Sequence, residues 1–124
     1  VKGEDLRAAI LALLDSHPSV SVSPAGHAKH ALRYVTAKGL PIGFEPRTVR
    51  FQNVWVRTDS VRKHRLADID SRYYAHADFH VSKPNHDLFG EPAFKDADLV
   101  CFKVQDLWQA VRVIAEVAGS GSGT

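Results

Sequence analysis

The segment Leu99 to Val104, LVCFKV, runs directly into Asp106 and an apolar-striped helix, and this unit most restricts how the chain can fold. Val100, Phe102 and Val104 share one parity while Cys101 and Lys103 take the other, which is the period of a strand. Asp106 suits an N-cap, and Leu107, Val111, Ile114 and Val117 then recur at helical spacing. A strand followed by an amphipathic helix buries both apolar faces by packing helix on sheet. At the other end, Glu4 to Asp15 reads as a helix: Leu6, Ile10 and Leu13 keep helical spacing, Glu4 and Asp5 suit the N-terminal dipole, and Pro18 closes the segment.

Between these ends the chain is read as follows. Ser19 to Val22 forms a short strand. Ser23 and Pro24 supply a cap and first-turn proline for a second helix reaching Lys38, with Gly39 as its stop. Arg47 to Arg57 is β-like, with Val49, Phe51 and Trp55 on one parity and Val54 and Val56 on the other, implying a bulge near Gln52 and Asn53 or burial on both faces. Ser60 to Tyr74 is ambiguous, although Leu66, Ile69 and Tyr73 keep helical spacing. His76 to Val81 alternates as a strand, and Ser82 to Lys95, with Pro84, Asn85, Gly90 and Pro92, reads as a long loop. The expected fold class is α+β: one domain over residues 1–118, with helices packed on a mixed or antiparallel sheet of about four or five strands. Residues 119–124, GSGSGT, read as a flexible appended tail.

Composition fits this size of core. The chain has 124 residues, 44% hydrophobic and 24% charged, as expected of one globular domain. One cysteine, Cys101, excludes an intramolecular disulfide framework and a cysteine-rich zinc site. No apolar run approaches the roughly 18 residues of a membrane span, so no membrane partner is expected and the location is read as cytoplasmic. The absence of methionine, even at position 1, suggests a domain taken from a longer parent protein.

Positive charge is concentrated. Arg47, Arg50, Arg57, Arg62, Lys63 and Arg65 fall in one stretch against the single acid Asp59, while the whole chain carries only +2. Such a local basic segment is the footprint of phosphate contacts, and the arginine fork suits phosphate or guanine. Phe51 and Trp55 lie among the charges, and Tyr73 and Tyr74 follow, so Trp55, Tyr73 and Tyr74 are the candidate stacking residues for an exposed base. The leading expectation is a nucleic-acid-binding module, DNA favoured over RNA, needing no cofactor and acting as a binding domain rather than an enzyme. The competing explanation is that the arginines cover neighbouring apolar surface and Trp55 is core.

Seven histidines raise a second possibility. His76, Asp78 and His80 would project from one strand face, and two imidazoles with a carboxylate suit a divalent metal. The outer two, four residues apart, would lie roughly 13 Å apart along a strand. A pair completed by His27, His30, His86 or Asp87 therefore fits better than the triplet. This gives the first alternative, a metal-dependent hydrolase; the second is a protein-interaction domain using the long loop or a sheet edge.

Overall fold

The computed structural model describes residues 3–120. Two helices, α1 (Gly3–Ser16) and α2 (Leu107–Gly119), accompany six strands: β1 (Val20–Val22), β2 (Leu32–Thr36), β3 (Pro41–Glu45), β4 (Gln52–Arg57), β5 (Ser71–Tyr74) and β6 (Leu99–Val104). The strands form one sheet in the order β1-β2-β3-β4-β6-β5, with every neighbouring pair antiparallel. The α+β class holds, and the sheet has six strands rather than four or five.

Strand alternation divides the sheet into two chemically different faces. Ile42, Phe44, Val54, Val56, Val100, Phe102 and Val104 are buried with Leu6, Ile10 and Leu14 of α1 and Ala110, Val113, Ile114 and Val117 of α2. The stripe of α2 is therefore rotated from the one expected: Val113 and Ala110 face the sheet, while Leu107 is 42% exposed and Trp108 67%. Asp106 does cap the helix, its side chain accepting from the Gln109 backbone N–H at 2.8 Å. The opposite face buries Ala31, Trp55, Tyr74, Leu99 and Cys101 beneath Leu88 and Phe94. Those last two come from single 3-10 turns at His86–Gly90 and Pro92–Phe94 in the long loop. A fold with both sheet faces covered explains why β4 is buried on both parities without a bulge.

Two expected elements are replaced. The helix from Ser23 to Lys38 is instead a turn and the strand β2. Ser23 starts a helix-like turn, with its hydroxyl accepting from Ala25 N–H at 3.2 Å and its carbonyl from Gly26 N–H at 2.8 Å, but Gly26 takes φ +76 and ends it. Leu32 to Thr36 then pairs with Pro41 to Glu45 around Gly39, whose φ of +82 serves a hairpin turn rather than a helix stop. The expected strand His76 to Val81 is a 3-10 turn at His76–Asp78. Asp98 causes the change of direction by accepting from both Tyr73 Oη and the His76 backbone N–H at 2.8 Å, which ends β5 at Tyr74. In the ambiguous 60–74 region, Leu66 and Ile69 are core residues that follow a short turn at Lys63–Arg65. Gly119 is the last residue of α2, and residues 121–124 of the expected tail lie outside the described residues.

The loop over the second face is tied down by buried polar groups. Arg33, 8% exposed, donates to the carbonyls of Gly26, Asp87 and Ala25 at 2.8, 3.0 and 3.1 Å. Glu91, also buried, accepts from Ser23 Oγ at 2.9 Å and Ala93 N–H at 2.8 Å. Gly43 makes the close approach possible, because a Cβ there would overlap the Cδ2 of fully buried Leu88. Gly43→Ala is therefore expected to destabilise the domain by about 1–3 kcal/mol, measured by urea unfolding; an unchanged midpoint would show that Leu88 is loosely packed.

Candidate functional site

The loop covers only part of the second sheet face. Beside it lies a cavity of about 400 Å³ lined by side chains from four strands and two loops. Strand register explains the lining. Asn53 and Trp55 on β4 pair with Lys103 and Cys101 on β6 and with Glu45 and Gly43 on β3, so all project to the same side. Arg72 and Tyr74 join them from β5, with Arg72 opposite Cys101. Arg47 and Phe51 enter from the β3–β4 connection, and Lys83, Pro84 and Asn85 from the long loop. That connection is held by fully buried Gln52, whose side chain accepts from Arg47 N–H at 2.8 Å and donates to Arg47 O at 3.0 Å.

The floor is aromatic and the rim cationic. Trp55 and Tyr74 contact with ring centroids 4.9 Å apart. Arg72 sits 4.7 Å over the Tyr74 ring, and Phe51 carries Arg47 at 5.8 Å and Lys103 at 5.4 Å. Four cations, Arg47, Arg72, Lys83 and Lys103, thus line the cavity with one carboxylate, Glu45. That carboxylate is already engaged: one oxygen accepts from Asn53 Nδ2 and from Trp55 Nε1, each at 3.0 Å, while the other lies 4.0 Å from Arg47. An ion pair that long and that exposed leaves most of the Arg47 charge available to solvent.

The candidate residues from sequence separate into two groups. Arg47, Trp55 and Tyr74 meet in the cavity. The others lie elsewhere, and three of the arginines among them meet acids. Arg57 forms a two-pronged pair with Asp59 at 3.0 and 2.8 Å. Arg62 and Arg65 both bind Glu116 of α2, at 3.0 and 3.2 Å, beside the helix-covered face. Lys63 stacks 5.1 Å over Tyr73, whose hydroxyl serves Asp98. Arg50 is exposed in the bend before β4 and makes no hydrogen bond or ion pair among the described residues. The basic run is therefore not one surface: turns at 58–65 carry its second half around the sheet edge to α2. Phe51, Arg72, Lys83, Asn53, Glu45 and Lys103 escaped attention as site residues. The signal for three of them was available in the period of two, since Asn53 shares a parity with Trp55, Arg72 with Tyr74, and Lys103 with Cys101. Lys83 and Glu45 become neighbours only through folding.

The histidines do not converge. His76, Asp78 and His80 are exposed in and after a turn. His76 packs edge-on against Phe79 at 5.2 Å. His27 accepts the Arg33 backbone N–H through Nδ1 at 3.0 Å, and the His30 backbone N–H donates to Asp87 at 2.8 Å, both in the loop that replaced the expected helix. Among the described residues, no three His, Cys, Asp or Glu side chains are placed to hold a metal ion. The shared strand face assumed for the triplet does not form.

Cys101 reaches the cavity wall but is 3% exposed, and burial, with a further contribution from Glu45, pushes its thiol up to about 12. It is a packing residue rather than a nucleophile. Native protein is expected to resist iodoacetamide at mildly alkaline pH and to react rapidly in urea; fast native labelling would contradict the burial. The ion pairs on the other side have a pH signature. Hydrogen bonding from Arg62 holds Glu116 below the usual carboxylate range. A depressed carboxylate stabilises the fold above its unfolded pKa, and that contribution is lost as pH falls through the folded value. Glu116→Gln should therefore melt lower than the parent at neutral pH, with the gap closing in acid; a constant gap would exclude the ion pair as its cause.

No family model, no curated protein and no solved structure matches the chain.

Proposed function

We propose that this domain binds nucleic acid through the cavity on the partly covered sheet face, as a module of a larger DNA-acting protein. The observation that carries this reading is the placement of Arg47 and Lys103 over half-buried Phe51 and of Arg72 over Tyr74, with Lys83 also lining the same space of nucleotide size. Cations track a phosphate backbone, and their release of condensed counterions drives binding. Aromatic rings beside them receive a base whatever its sequence context. A sheet face is well suited to this work because adjacent strands set such groups roughly 5 Å apart.

The contacts proposed here differ from a reading by charge density alone. Arg62 and Arg65 are excluded as principal contacts by their shared acid, and Arg57 by Asp59. Arg47, Arg72, Lys83 and Lys103 take their place. A metal-dependent hydrolase has no converging ligand set in the described residues to recommend it.

Binding of short single-stranded and duplex DNA should weaken steeply with salt. Arg72→Ala and Lys103→Ala are each expected to reduce the slope of log affinity against log salt by about 1, whereas Arg62→Ala and Arg65→Ala leave it unchanged. Fluorescence anisotropy across a salt series checks this. Salt-independent binding, or equal losses in both sets of variants, would overturn the assignment.

A further inference from the structure

Behind the cavity wall lies a polar atom, shielded from solvent, that no described residue satisfies. Asn53 is 7% exposed, and its Oδ1 has no hydrogen-bond partner among the described residues. The orientation of the amide is determined by its neighbours. Nδ2 donates to the Glu45 oxygen that also receives Trp55 Nε1, and a flipped amide would set carbonyl oxygen against carboxylate. With Nδ2 turned toward β3, Oδ1 is turned toward β6, where Lys103 is the direct cross-strand neighbour. The lysine does not serve it; its ammonium rests over Phe51 instead. Buried acceptors are nearly always paired, so an unpaired one in a cavity wall calls for a donor from outside. Glu45 adds a second acceptor, since its other oxygen takes no hydrogen bond among the described residues and stands 4.0 Å from Arg47.

We infer that Asn53 Oδ1 and that oxygen of Glu45 select nucleobases that carry an amino group, over bases with a carbonyl at the corresponding ring position. This inference rests on the nucleic-acid reading above and adds to it a basis for choosing among bases. Lys103 has a flexible stem, and its movement from Phe51 to a phosphate opens Asn53 Oδ1 to the base edge. The plane of the base then lies against Phe51, the half-buried ring that Lys103 leaves. An amino group donates to the waiting acceptors; a uracil or thymine O4 brings a third acceptor to the same position, with the N3–H one ring atom away as the base's remaining donor. Sites built to receive a hydrogen bond reject analogues that lack the donor.

The test compares single-stranded oligodeoxycytidylate with oligodeoxyuridylate of equal length, whose bases differ in an amino group against a carbonyl at C4 and in an acceptor N3 against an N3–H. Cytosine is expected to bind about tenfold more tightly, and Asn53→Val to abolish the preference while leaving the salt slope intact. Equal affinities in the parent protein, or a preference that survives Asn53→Val, would overturn the inference and leave general nucleic-acid binding standing. Salt-insensitive or absent binding of both strands would overturn the nucleic-acid reading itself, and the inference with it. A measurement without mutation guards against a variant that fails to fold: the Asn53 side-chain amide resonances should move on addition of CMP and stay in place with UMP, and equal shifts with both would overturn the selection.

Discussion

The antiparallel ladder between β4 and β6 is the constraint on which the rest of the molecule depends. It pairs Gln52 through Arg57 with Val104 through Leu99 at the middle of the sheet, and nearly every residue in it is buried. A central ladder buried on both sides needs two covers. One is conventional, with α1 and α2 laid across aliphatic residues. The other is a loop of short turns, which brings few apolar side chains and many backbone polar groups, each needing a partner. Arg33, Glu91, Asn85 and Asp87 meet that need through hydrogen bonds between the loop and the 23–33 segment.

Because the loop is short of apolar material, it closes over Gly43, Trp55 and Leu99 and stops before Asn53 and Lys103. The uncovered part of the face carries the polar members of each strand. Glu45 binds the Asn53 amide and the Trp55 indole through one oxygen, so a single carboxylate organises two neighbouring strands and fixes the direction of the amide. Rigid placement of this kind lets a binding site discriminate, since groups held by the sheet need not be ordered when a ligand arrives.

Charge follows the same division. On the helix side the arginines meet acids: Arg112 with Asp68, and Arg62 and Arg65 with Glu116. These exposed pairs contribute little each, but they remove net charge from that surface. On the cavity side, cations rest on aromatic rings and one carboxylate is shared among neutral donors. The charge left at a surface depends on which acids folding brings near, not on how many bases occur in sequence.

Period-two alternation and capping were sufficient to read β6, α2 and the first helix, because these signals are local and each residue reports its own face. For β4 the same alternation left two readings open, a bulge or burial on both faces, and the covered second face decides for the latter. Local pattern misled where short-range chemistry imitates another element. Ser23 and Pro24 begin a helix-like turn, yet Gly26 breaks it and the β-branched and aromatic residues of Leu32 to Thr36 find a partner strand. His76 to Val81 alternates like a strand, but the Asp98 carboxylate, more than twenty residues away, captures its first amide and turns the chain. The sequence by itself determined the α+β class, the strand β6 and the helix α2, and it singled out Arg47, Trp55 and Tyr74, which the fold brings to one cavity. Only the tertiary structure decided which basic residues keep their charge exposed and that Glu45, Asn53, Arg72, Lys83 and Lys103 share one cavity. Charge compensation and cross-strand register link residues distant in sequence, so no window along the chain contains both partners.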